Sequence, residues 1–152
     1  MLDEDVVRCH MSAASRKRAL QLIAELMADE EVSADALFDA LMGREKLGST
    51  ALGEGVAVPH CRIDASTMRA ALVSLPEPVD FEASDGIPVD LLFVLVVPEE
   101  EQTAHLEALA TLAGIFSQAG NRAELRACVS DESLHQTFLA QLANQVPDAQ
   151  SA

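Results

Sequence analysis

The sequence predicts an α+β protein, a three-layer α/β/α sandwich built around a small mixed β-sheet. The first sign is an apolar run, Val89-Asp90-Leu91-Leu92-Phe93-Val94-Leu95-Val96-Val97, unbroken until Pro98. It is too short to cross a membrane and rich in β-branched residues, the pattern of a strand covered on both faces. The second sign is that helical apolar stripes lie both before and after it in the chain. The third is the short β-prone segments, punctuated by glycine and proline, between them. The element order is β-α-α-β-β-β-α-α-α. Helical hairpins on either side of a strand cluster imply helices on both faces of the sheet.

Val6-Val7-Arg8-Cys9-His10 reads as the first strand. Ser12 to Ser15 supplies N-cap hydroxyls for a helix to about Ala28, with Leu20, Ile23, Ala24 and Met27 forming one buried stripe. Ser33 caps the next helix, Asp35 lies in its first turn, and Leu37, Phe38, Leu41 and Met42 face inward. Gly43 ends the strong pattern, and Gly48 is the last place the helix can stop. A short strand, Val56-Ala57-Val58, is stopped by Pro59, which places His60 just past its end. Ala70 to Leu75 is a strand closed by Pro76 and Pro78, and a loop over Val79 to Gly86 leads into the central run.

Gln102 to about Gln118 forms a long helix with Leu106, Leu109, Ala113 and Phe116 facing in, and Gly120 breaks it. Asn121 caps a short helix through Cys128, and Asp131 caps a last one carrying Leu134, Phe138, Leu139 and Leu142. From Asn144 the chain turns polar. The whole of residues 1–152 is expected to be one domain, with its core over about 6–142 and a frayed tail over 144–152.

Composition narrows the function classes. The 152 residues are 49% hydrophobic and carry a net charge of −15, a field that repels nucleic-acid phosphates and anionic lipid. No nucleic-acid partner is expected, and an electrostatically steered partner needs a basic docking face. Aromatics are only 3%, so Leu, Val and Ala must fill the core. Cys9, Cys61 and Cys128 lack the spacing of a disulfide framework or a zinc ribbon. The acidic start lacks a signal peptide's pattern, and no apolar segment reaches the roughly 18 residues of a membrane span. The expectation is a cytoplasmic protein without membrane insertion, cofactor or metal.

The stretch from Arg44 to His60 is the candidate site. His60, held stiffly after a proline, is either a histidine that closes a strand or a nucleophile; neutral imidazole attacks phosphorus near neutral pH. Gly48-Ser49-Thr50 offers backbone N–H groups and two hydroxyls suited to an anion. Arg44 is either a cation that complements a helix C-terminus or a forked donor to phosphoryl oxygens. His105, early in the helix after the central strand, is either a polar residue on a helix face or a neutral N–H donor. Sites in such sheets form beyond strand ends, which favours pairing it with His60.

These residues fall in blocks that resemble a known family. Arg44-Glu45-Lys46-Leu47-Gly48-Ser49-Thr50, Gly55-Val56-Ala57-Val58-Pro59-His60, Pro88-Val89-Asp90-Leu91-Leu92-Phe93 and His105-Leu106 occur in the order found in the enzyme IIA domains of the bacterial phosphoenolpyruvate-dependent phosphotransferase system. The resemblance is to the fructose–mannitol class, and within it to the stand-alone nitrogen-regulatory branch, from about Val6 to Leu142. It implies that His60 accepts a phosphoryl group on Nε2 from a histidine phosphocarrier protein (HPr- or NPr-like) and that phosphorylation state governs regulatory targets. It also implies that Arg44 and His105 stabilise the transferring group, with Ser49 and Thr50 as supporting donors. Two departures stand out: Cys61 where the family usually has glycine, a side chain expected to crowd the carrier or sensitise the site to oxidation, and a start close to the first strand. Competing readings are a sugar-specific subunit feeding a membrane component, an interaction module without turnover, and a metal site of His60, Cys61 and His105 with Cys9-His10.

Overall fold

Ser15 and Ser33 open the first two helices, as their positions predict. In the computed structural model, which describes residues 2–145, β1 (Val7–Arg8) follows a single 3₁₀ turn (Glu4–Val6) and leads to α1 (Arg16–Met27) and α2 (Ala34–Leu47). The Ser15 and Ser33 hydroxyls each accept a backbone N–H three residues on, at 3.1 Å. The predicted stripe Leu20, Ile23, Ala24 and Met27 is buried, as are Leu37 and Leu41, while Phe38 and Met42 are partly buried. Gly48 ends α2.

Five strands follow, where the sequence predicts three: β2 (Ala51–Gly53), β3 (Val56–Ala57), β4 (His60–Ile63), β5 (Arg69–Val79) and β6 (Val89–Pro98). β2 and β3 form a hairpin whose turn Gly53-Glu54-Gly55 has φ of 95°, 58° and 82°, a left-handed course that glycine makes accessible. Pro59 does not end the pairing. It removes one ladder donor, but its carbonyl accepts from Leu95 N–H at 2.9 Å, and the strand resumes at His60. β5 likewise runs on through Pro76 and Pro78, where its register against β6 shifts between Ser74 and Val79. β1 is shorter than predicted because His10 turns at φ 58°.

The sheet order is β1-β5-β6-β3-β2, with β4 continuing β3 along the same edge of β6. β6 pairs antiparallel with β5 and parallel with β3 and β4, so the sheet is mixed and β6 central, as expected. Its side chains alternate between two cores. Leu92, Val94 and Val96 meet α1 and α2, while Leu91, Phe93, Leu95 and Val97 meet the helices that follow. Those are α3 (Gln102–Phe116), α4 (Ala119–Ala127) and α5 (Asp131–Gln145), which complete the three layers.

Several helix details differ from expectation. α3 buries Leu112, Ile115 and Phe116, while Leu106 is 69% exposed and Ala113 is exposed. The helix is apolar nearly all round, so periodicity cannot choose its inner face. The break before α4 falls at Ser117-Gln118, and Gly120 lies inside α4. Asn121 is not a cap; its Nδ2 donates to the Ile115 carbonyl at 2.9 Å, closing the end of α3. Ser130 caps α5 by accepting the Ser133 N–H, leaving Asp131 to accept the Cys9 N–H at 2.7 Å and tie β1 to α5. Asn144 and Gln145 are helical, and the rest of the predicted tail lies outside the described residues.

Arg126 of α4 forks onto both Asp90 oxygens, the closest at 2.9 Å, and donates to the Glu54 carbonyl at 2.6 Å. It thereby fastens α4 to the β2–β3 turn and the start of β6. Arg126→Met is expected to lower stability by about 1–2 kcal/mol in urea unfolding, the pair being too exposed for a larger loss.

Candidate functional site

The start of β4 and the second turn of α3 bring two imidazoles together. The His60 and His105 ring centroids are 5.3 Å apart with the planes at 63°. His60 Nδ1 lies 2.7 Å from the Val58 carbonyl. A carbonyl only accepts, so Nδ1 carries the proton and donates it, and the neutral ring keeps its lone pair on Nε2. The Val58 peptide is held from its other side, its N–H donating to the Thr50 carbonyl at 3.1 Å. A cleft of about 300 Å³ opens at His60, lined by Thr50, Leu52, Val58, Leu109, Ala110 and Ala113. A larger groove of about 460 Å³ between α3, α5 and the sheet offers a single hydroxyl, Thr111, and no titratable group.

Beneath the cleft lies a carboxylate that the sequence analysis did not single out. Glu45 continues the α2 stripe of Leu37 and Leu41 at a four-residue interval, and its side chain is fully buried. It accepts a short hydrogen bond from the Thr50 hydroxyl and a longer one from Thr50 N–H, and Arg16 of α1 stands 3.6 Å away. A buried carboxylate needs such partners. A charged residue on an otherwise apolar stripe was the signal that could have revealed it.

The other predicted residues fare differently. Thr50 lines the cleft, but its hydroxyl is committed to Glu45. Ser49 donates to the Phe81 carbonyl at 2.6 Å and accepts from Ala51 N–H, so it braces a loop instead of facing an anion. Arg44 donates to the Gly48 carbonyl at 2.8 Å and is not among the residues lining the cleft.

His105 is held below the ordinary imidazole range, first by burial and then by repulsion from His60 and Arg62. Its Nε2 is buried without a hydrogen-bond partner among the described residues. Arg62 also went unnoticed, because reading Pro59 as a stop hid β4 and its alternation.

Cys61 neither crowds the site nor sensitises it. The pleat turns it away from His60 into the core under α1 and α2, and burial pushes its thiol up to about 12. For the same reason His60, Cys61 and His105 do not converge on a metal.

Residues 1–141 match the family model described as "Phosphoenolpyruvate-dependent sugar phosphotransferase system, EIIA 2". The chain belongs to this family of phosphotransferase-system components. Within it, the chain is 45% identical over 130 residues, 84% of each sequence, to a protein named nitrogen regulatory protein from Pseudomonas aeruginosa. It is 39% identical to the protein of the same name from Escherichia coli, over 90% of this chain and 85% of that one. The crystal structure of nitrogen regulatory protein IIA-Ntr from Neisseria meningitidis superposes with a TM-score of 0.86 at 40% identity, covering 90% of this chain and 94% of that one. IIA mannitol from Escherichia coli, at 22% identity and a TM-score of 0.71, over 90% of this chain and 98% of that one, shares the fold.

Two outcomes follow from the ring and thiol environments. In an NMR titration His105 should pass its midpoint below the 6.5 of a free imidazole; a midpoint at or above it would refute the packing described. With native protein at neutral pH, iodoacetamide should leave Cys61 unmodified, as mass spectrometry would show, and modify it after unfolding.

Proposed function

We propose that His60 accepts a phosphoryl group at Nε2 from a histidine phosphocarrier protein, and that the two forms of the protein bind different regulatory targets in the nitrogen-related branch of the phosphotransferase system. The observation that supports this most directly is the His60 Nδ1–H bond to the Val58 carbonyl, which leaves Nε2 as the nucleophilic nitrogen. The Nε2 lone pair attacks the donor's phosphorus in line. The donor's N–P bond breaks, and its electron pair stays on the donor imidazole. A donor ring that carries a proton on its other nitrogen leaves neutral, so no proton need cross between the proteins. The ring of His60 becomes cationic as the new N–P bond forms, and the Val58 carbonyl is already placed to stabilise that charge through Nδ1–H.

His105, kept neutral, sits against the reacting ring without adding a second full charge. Arg44 is anchored by one nitrogen to Gly48 and keeps its other guanidinium N–H groups for phosphoryl oxygens. The added phosphate brings up to about two negative charges to one edge of the sheet, enough to change which surface binds there. The names of the relatives, nitrogen regulatory protein, support regulation as the output.

Incubation with phosphoenolpyruvate, the first enzyme of the cascade and the carrier should give one acid-labile phosphate per chain. His60→Ala should give none, and labelling of that variant would remove the assignment. Arg44→Lys should fold normally but accept phosphate more slowly, about tenfold, since a point charge replaces a fork; an unchanged rate in rapid-quench experiments would release Arg44 from this role.

A further inference from the structure

We infer that Arg62 is a further catalytic residue, a guanidinium that closes on the oxygens of the phosphoryl group carried by His60. This rests on the reading of His60 given above, and adds to it a group outside the motif blocks that identify the family.

The placement comes from the pleat. In β4, Cys61 and Ile63 pack into the core under α1 and α2. His60 and Arg62 therefore share the opposite face, toward α3, where their ladder partners Leu95 and Val97 also lie. Two residues along a strand separate the backbone positions by about 7 Å, a span that the long arginine stem covers. The charge of Arg62 is also felt at His105, the ring packed against His60.

What sets Arg62 apart is that nothing among the described residues claims it. Arg16, Arg69 and Arg126 are paired with carboxylates. Arg8, Arg44 and Arg122 donate to backbone carbonyls, and Arg18 to Gln21. Arg62 alone among the arginines has neither an ion pair nor a hydrogen bond among the described residues, in a chain with 25 acidic side chains. An unpaired cation near His105 opposes protonation of that ring in the resting protein, and the same cation attracts a phosphate once His60 carries one. Such a group favours the phosphorylated state and the charge that develops on the way to it.

The test uses the full chain with Arg62→Gln and Arg62→Lys, phosphorylated by phosphoramidate, which has no protein surface to dock. Circular dichroism establishes that each variant is folded. In wild type, ³¹P NMR should show a phosphohistidine whose phosphate gives up its last proton at lower pH than in Arg62→Gln. Arg62→Gln should also accept phosphate from phosphoramidate about tenfold more slowly, with Arg62→Lys in between. Identical ³¹P titrations and phosphoramidate rates in wild type and Arg62→Gln would overturn the inference. So would a defect seen only with the protein donor, which would make Arg62 a docking residue. Absence of any phosphohistidine in wild type would instead remove the reading of His60 itself.

Discussion

The hydrogen bond from His60 Nδ1 to the Val58 carbonyl is the constraint on which the site depends, and much of the fold serves to hold that carbonyl still. Val58 and His60 flank a proline, so the chain between them has one backbone dihedral locked by a ring. On one side, Pro59 accepts from Leu95 of the central strand; on the other, Val58 donates to Thr50. Thr50 is fixed by Glu45 at the end of α2, and Glu45 faces Arg16 from α1. A buried carboxylate under the α1–α2 pair thus positions Thr50, which holds Val58, whose carbonyl in turn takes the Nδ1 proton of His60.

The electrostatics of the site run against those of the whole molecule. The chain carries −15, yet the charged side chain felt at His105 is a cation, Arg62. An acidic body attracts a basic partner over distance, and on the function proposed above the cation at the site favours the phosphoryl group that His60 receives. His105 reconciles the two demands. Burial and the charge of Arg62 hold its pKa down, so it packs against His60 without opposing the positive charge that ring would acquire in the proposed transfer.

The layers of the fold were legible where local chemistry and burial agree. Ser15 and Ser33 announce helix starts, Leu20 to Met27 repeat with helical spacing, and Val89 to Val97 is too apolar to lie anywhere but the middle of the sheet. The inner face of α3 was illegible because apolar residues cover it nearly all round, and only the packing of Leu112, Ile115 and Phe116 against the sheet decides its rotation. Of the site, His60 and His105 could be read from chain position. Ser49 could not be judged, because the Phe81 carbonyl that takes its hydroxyl arrives from 32 residues away. Arg62 was hidden by Pro59: a proline reads as a strand end, whereas a parallel neighbour as long as β6 carries the pairing past it.

The alternation of β4 divides the consequences of change at adjacent positions. His60 and Arg62 face α3, and Cys61 and Ile63 face the packed side of α1 and α2. The side chain at position 61 therefore fills core volume and leaves the face toward α3 untouched. Its thiol, buried and held far above the range in which thiolates form, behaves as a small apolar group. One strand of four residues thus carries a packing face and a chemical face. Neighbouring substitutions along it should separate cleanly, those at 61 registering in stability and, on the inference drawn for Arg62, those at 62 in phosphoryl transfer.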